Sequence, residues 1–174
     1  MSKFIVISGA SGVGKGTLVK RLLSEVPNLT LSISCTTRKP RKGEIDGVSY
    51  YFFGKDEFEQ RIKENLFLEW ALVHGNYYGT PLVNIEGNIL LEIDVQGALA
   101  VKQQKPDTIL VFIAPPSVDE LRKRLDNRGT DDDKELRINN AVKELSQQDK
   151  FDVVLVNDDF ETCYLKLKDL INAS

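Results

Sequence analysis

Cysteine and histidine are nearly absent: 174 residues carry two cysteines, Cys35 and Cys163, and one histidine, His74. The cysteines lie far apart and at no metal-ligand spacing. That excludes a disulfide scaffold or a Cys/His metal cluster and reads as reduced, structural thiols of a cytosolic protein. No apolar run approaches the length that spans a membrane. The chain enters an apolar strand at Phe4 without a charged leader or a signal core, so the expectation is a cytoplasmic protein with no membrane partner. Net charge is −3, which gives no global field for nucleic acid, and any anion site must be a local concentration of cations. Repeats and low-complexity linkers are missing too. What remains, 41% hydrophobic and 28% charged residues, suits one globular domain with room for a small inserted lobe.

The most informative stretch is an apolar run, Phe4 to Ile7, followed by Ser8 and GASGVGKGT, Gly9 to Thr17. Gly9, Gly14 and Lys15 fall at the GxxxxGK spacing of a phosphate-binding P-loop. Gly9, Gly12 and Gly14 let the backbone curl so that successive N–H groups, those of Gly9, Ala10, Ser11, Gly12, Val13, Gly14, Lys15, Gly16 and Thr17, can face an anion. The helix after it adds its N-terminal donors, and Lys15 a full charge. Three fixed positions arise by chance about 0.05 times in a chain this long. The strand before and the amphipathic helix after, with Leu18, Val19, Leu22, Leu23 and Val26 on one face, remove most of that chance. Gly16 stands where the common loop has a Mg²⁺-binding hydroxyl, and Thr17 comes one residue late. A metal here is therefore expected on nucleotide phosphates and water, with no direct protein ligand.

Leu29 to Cys35 alternates like a half-buried strand and delivers the chain into Thr36 to Gly43, which holds Arg38, Lys39, Arg41 and Lys42. Such a run is either a solvated loop, a nucleic-acid patch, or, beside a P-loop in an acidic protein, a fork of two guanidiniums for one phosphate. Gly43 to Gly79 reads as a small α+β lobe. Tyr50 to Phe53 is strand-like, and Lys55 to Asn65 is helical with Phe58 and Ile62 inward. Phe67 to Val73 is a strand with Glu69 opposite Leu68 and Trp70, and His74 to Thr80 is a turn-rich segment dense in hydroxyls. A plain packing lobe is the alternative, and His74 reads as a polar turn residue rather than a base.

Ile89 to Asp94 is a buried strand ending in carboxylates, and Val95 to Gln104 a helix. Glu92 and Asp94 can both face the site as metal-organising acids, or be turn residues. Thr108 to Ala114 is another buried strand. Ser117 and Glu120 have capping-box spacing for a helix with Val118, Leu121 and Leu125 inward. The next helix starts near Asp133 and buries Ile138, Ala141, Val142 and Leu145, with Arg137 pointing away. The tip between them, rich in charge and hinged at Gly129, fits a lid that delivers Arg124, Arg128 and Arg137 to a transferring phosphoryl, or a solvated hairpin. Phe151 to Val156 is the last strand, and Phe160 to Ala173 closes the chain with Phe160, Tyr164, Leu167 and Ile171 inward. The pattern predicts an α/β fold, a five-stranded parallel sheet with helices on both faces and ligands at the carboxyl ends of the strands.

GASGVGKGT, SCTTRKPRKGEIDGVSYYF, FLEWALVHGNYYGT, LLEIDVQGA, LRKRL with its RGT loop, and VNDDF occur in that order, and the chain resembles guanylate kinases along nearly its whole length. The Gly16 variant of the loop also occurs in such small nucleoside monophosphate kinases. The resemblance implies a core of 1–35 and 88–174, a GMP-binding lobe of about 36–87 and a helical lid of about 124–140. It implies phosphorylation of GMP, and of dGMP, by ATP with Mg²⁺, through direct in-line transfer. Ser34, Glu69 and Thr80 would read guanine, and Arg38, Arg41, Tyr50 and Tyr78 would clamp the GMP phosphate. Lys15 and the loop amides would hold ATP, and Asp94 would organise the Mg²⁺ water shell and the acceptor side. Arg124, Arg128 and Arg137 would gather on the phosphoryl, with Asn157 at the adenine edge. Guanine offers an O6 acceptor with N1–H and N2–H donors, and a carboxylate plus hydroxyls answers that pattern.

One stretch departs from the family pattern. Between Thr80 and Ile89 the family carries a longer segment with a helix, whereas only Pro81 to Asn88 stands here. The other readings are a non-catalytic phosphopeptide-binding module of the same fold and a related kinase acting on a sugar phosphate. The intact Gly9, Gly14 and Lys15 speak against the first, and Glu69 with Ser34 and Thr80 against the second.

Overall fold

The computed structural model describes residues 3–10, 12–83, 86–126 and 134–173. Its main sheet has five parallel strands, in the order β2 (Leu29–Leu31), β7 (Asn88–Glu92), β1 (Phe4–Gly9), β8 (Ile109–Ala114), β9 (Val153–Val156). The central strands are continuous apolar runs because both faces are covered. Alternation along β1 sends Ile5 and Ile7 into one core, with residues of α1 (Lys15–Glu25), α4 (Val118–Asp126), α5 (Lys134–Leu145) and α6 (Phe160–Ala173). Val6 goes into the other, with Val95, Ala98 and Val101 of α3 (Val95–Gln104).

A second sheet has the order β4 (Tyr51–Phe52), β3 (Cys35–Thr36), β6 (Asn76–Pro81), β5 (Phe67–Val73). Phe58 of α2 (Lys55–Lys63) is fully buried beneath it, its ring 4.4 Å from that of Phe67 and 5.1 Å from that of Tyr77. The strand expected over Leu29 to Cys35 is thus two strands in two sheets. The Ser32 N–H makes a last bond to the Leu90 carbonyl at 2.9 Å, then the chain crosses, and Cys35 pairs with Gly79. The expected alternation of burial breaks at the crossing: Ser32 is buried, Ile33 and Ser34 are half-buried, and Cys35 and Thr36 are buried in succession.

The segment His74 to Thr80 is mostly strand rather than turn. Only His74 and Gly75, with φ of 49° and 80°, form the two-residue hairpin turn. In β5 the alternation holds at Trp70 but fails at Leu68. A register shift between Phe67 and Glu69 lets Leu68 pack on the α3 core while Glu69 also turns toward α3. Two helix assignments change as well: Val118 is 36% and Val142 44% exposed, each lying at the margin of its buried stripe. Ser117 Oγ accepts the Glu120 N–H at 3.1 Å, but the Glu120 carboxylate pairs with Arg124, so half of the capping box forms.

Candidate active site

The loop from β1 to α1 is shaped by contacts that leave no room for side chains. A Cβ on Gly9, at φ 146°, would stand 2.2 Å from the Ile113 carbonyl oxygen, and one on Gly14, at φ 91°, 2.8 Å from Asn157 Nδ2. Asn157 is buried, and its Nδ2 donates to the Val13 carbonyl at 2.7 Å. Its own carbonyl accepts from Arg124 Nη1 and Nη2 at 3.1 and 3.2 Å. Arg124 is thereby docked against the turn that supports the loop, and Asn157 serves the loop itself. Ala10 and Val13 are buried, while Gly16 and Thr17 are exposed at the start of α1. Ser11 and Arg128 lie outside the described residues.

Lys15 Nζ turns back to donate to the Gly9 carbonyl. Burial lowers the pKa of its ammonium, opposed by the charges of Glu144, Glu92 and Asp94. Glu92 faces the cleft at the end of β7, and its Oε1 is 3.8 Å from where a Cβ of Gly16 would be. Burial raises the pKa of Glu92, and Lys15 opposes the rise. Sequence reasoning gave no role to Glu144. It lies seven residues after Arg137, hence on the same face of α5, a signal that was available. Arg137 itself is exposed.

Between the two sheets runs a cleft. One cavity of about 180 Å³ is lined by Ser34, Tyr50, Glu69, Ala71, Val73, Tyr78, Gly79, Glu92, Ile93 and Asp94. A neighbouring, more open one shares Ser34, Tyr50, Glu92 and Asp94 and reaches Lys15. Thr80, 1% exposed, donates from Oγ1 to Glu69 Oε1 at 2.6 Å. The Glu69 pKa is raised, first by burial and then by the nearby Asp94 charge, with the Thr80 bond opposing. Asp94 caps α3, its Oδ1 accepting the Gly97 N–H at 2.8 Å. A Cβ on Gly97 would lie 3.0 Å from Asp94 Oδ1 and 3.6 Å from Glu69 Oε2, so a glycine there keeps the space between two carboxylates open.

At the other end of the second sheet, the Arg38 guanidinium is bound by Glu44 and lies 5.5 Å from the Tyr50 ring centroid. Tyr50 and Tyr78 meet edge to face at 6.2 Å, and burial raises the pKa of Tyr50. Arg41 is exposed, its N–H donating to Glu44 Oε2 at 2.7 Å. Glu44 is a residue that sequence reasoning missed. A carboxylate three and six residues after two arginines in a cationic run was its signal.

The cleft therefore joins a loop for a polyphosphate to a polar pocket that ends in a guanidinium. The family profile described as guanylate kinase matches residues 1–174. The guanylate kinase of Caldanaerobacter subterraneus subsp. tengcongensis is 48% identical, with 97% of this chain and 86% of that one covered. The guanylate kinase of Clostridium perfringens (strain 13) is 47% identical, with 97% and 82% covered. The crystal structure of guanylate kinase from Anaplasma phagocytophilum superposes with a TM-score of 0.79 at 32% identity, over 99% of this chain and 85% of that one. Taken with the cleft, these likenesses make the chain a member of the guanylate kinase family.

Proposed function

We propose that the chain transfers the γ-phosphoryl group of ATP to GMP, and to dGMP, giving ADP and a guanosine diphosphate. The observation that carries the reading is Glu69, a half-buried carboxylate fixed by Thr80 in the same cleft that Lys15 reaches. Guanine presents two adjacent donors, N1–H and N2–H, and an ionised carboxylate accepts both. Ser34 and Thr80 supply hydroxyls around it. We read 36–87 as the lobe that binds this acceptor, inserted between 1–35 and 88–174, and about 124–140 as the lid.

The reaction needs no protein nucleophile, since a phosphate oxygen of GMP attacks the γ-phosphorus in line. The protein supplies alignment and charge. Arg38, Arg41, Tyr50 and Tyr78 hold the acceptor phosphate. The loop amides and Lys15 hold the donor phosphates. Arg124, Arg128 and Arg137 neutralise charge on the phosphoryl in flight and exclude water when the lid shuts. Asn157 keeps Val13 in place and borders the adenine side.

The donor set fits Mg²⁺ held by phosphates and water: Gly16 brings no hydroxyl, while Glu92 and Asp94 stand at the cleft ends of β7 and α3. Such an ion would neutralise the β- and γ-phosphates. No helix among the described residues is long and apolar enough to cross a membrane. Coupled ADP release across GMP, dGMP, AMP, CMP, UMP and ribose 5-phosphate tests the reading. Activity selective for the guanine nucleotides is expected, and activity led by the sugar phosphate, or none with any acceptor, would count against it.

A further inference from the structure

Arg38 and Glu44 form a fork whose hydrogen bonds can be counted. Arg38 Nη1 donates to the Lys39 carbonyl at 2.8 Å and to Glu44 Oε2 at 3.0 Å, and Nη2 donates to Glu44 Oε1 at 2.8 Å. A guanidinium has five N–H groups, and these three bonds use both on Nη1 and one on Nη2. Tyr78 also interacts with the guanidinium; Nε–H and the second N–H of Nη2, which make none of these three bonds, lie along one edge and match the spacing of two phosphate oxygens. Glu44 Oε2 also accepts the Arg41 N–H at 2.7 Å, so the same carboxylate sets the turn from which the second arginine projects. Arg38 first and the Arg41 N–H next lower the pKa of the Glu44 carboxyl, which favours its ionised form.

We propose that Glu44 is a positioning residue for the acceptor phosphate, locking the outer edge of Arg38 so that the phosphate is met by the Nε edge. The proposal rests on the reading of Arg38 as part of the phosphate clamp. A long, unrestrained arginine has to surrender rotamer freedom when the phosphate arrives, and one already fixed on both sides of Nη1 does not. Glu44 keeps its place when GMP binds, because the edge it holds is not the one offered. The opposite arrangement, in which Glu44 is an occupant that the phosphate must expel, has the opposite sign: removing it would tighten GMP.

Calorimetric affinities for GMP and for guanosine, which lacks the phosphate, separate these. The full chain is compared with E44A, E44D, R38M and R38M/E44A, and thermal melts accompany each. E44A is expected to weaken GMP about tenfold while guanosine stays within about twofold. E44D should recover part of the loss, and E44A should add little in the R38M background. If R38M weakens GMP but E44A leaves it unchanged or tightens it, the role of Glu44 is overturned and the clamp stands. If E44A weakens guanosine as much as GMP, Glu44 serves the loop in general and the proposal is likewise overturned. If R38M leaves GMP unchanged, the clamp reading falls, and the proposal with it.

Discussion

Thr80 Oγ1 lies 2.6 Å from Glu69 Oε1 across the β5–β6 pair, with Thr80 only 1% exposed and Glu69 half-buried at the wall of the cleft. Their hydrogen bond occupies one lone pair of Oε1, leaving both oxygens able to accept from the base, and opposes the rise in the Glu69 pKa. Thr80→Val keeps the shape and removes the donor. The expected outcome is a KM for GMP raised by about fivefold to tenfold, in line with about 1 kcal/mol for one such bond, with the KM for ATP unchanged. Steady-state kinetics with each substrate varied in turn checks it.

The pH dependence follows from the same group. Acceptance of guanine N–H groups requires Glu69 ionised, and burial raises its folded pKa. GMP affinity is therefore full above that raised pKa and fades as pH falls through it, at a pH above the ordinary carboxylate value. For stability of the free protein the sign is reversed. A carboxyl with a raised folded pKa binds its proton more tightly folded than unfolded, so stability falls as pH climbs from the unfolded to the folded value. Denaturation of wild type and E69Q over mildly acid pH should show that decline in the first and less of it in the second. Glu92, raised by burial too, contributes in the same direction and remains in both.

Lys15 is the charge that reaches furthest into the loop, held there by the Gly9 carbonyl. Lys15→Met should lower turnover by ~10³ or more while leaving GMP affinity nearly intact, because the role proposed for it is on the donor phosphates. Turnover within about tenfold of wild type would remove its assigned role.

Two glycines with positive φ separate steric from conformational cost. Gly43, at φ 88°, has no atom within 4 Å of a built Cβ, whereas Gly9, at φ 146°, would collide with the Ile113 carbonyl at 2.2 Å. Gly43→Ala should cost about 1 kcal/mol of stability from backbone strain alone, and Gly9→Ala at least about 3 kcal/mol, since β1 and β8 must part. Urea denaturation of both variants gives the comparison.

Much of the fold was legible because strong local signals coincided. Apolar runs marked four of the five parallel strands, β1, β7, β8 and β9, alternation marked β2, and the glycines of the loop marked the first strand-to-helix turn. What escaped has physical causes. Ser32 to Ser34 change sheets while the apolar/polar alternation of the sequence runs on unbroken, although Ser32 ends up buried and Ile33 half-buried, so no pattern betrayed the crossing. The bulge at Leu68 is set by pairing with β6, which lies beyond any local window. Glu44 and Glu144 had spacing signals, but the Arg38–Glu44 fork itself and the influence of Glu144 on Lys15 depend on rotamers and on helix packing, which spacing does not encode. By contrast, Ser34, Tyr50, Glu69, Tyr78 and Asp94 line one cavity although they come from separate stretches of chain.

The central claim is that the half-buried Glu69 carboxylate selects the acceptor base. IMP keeps the O6 acceptor and N1–H of GMP but lacks the N2 amine, so it tests that claim with one missing donor pair. The direct measurement is kcat/KM for GMP and IMP in wild type and E69Q. The account predicts a preference for GMP of ~10² or more in wild type, falling to about tenfold or less in E69Q through loss on the GMP side. Equal use of the two nucleotides by wild type, or a preference that survives in E69Q, would contradict it.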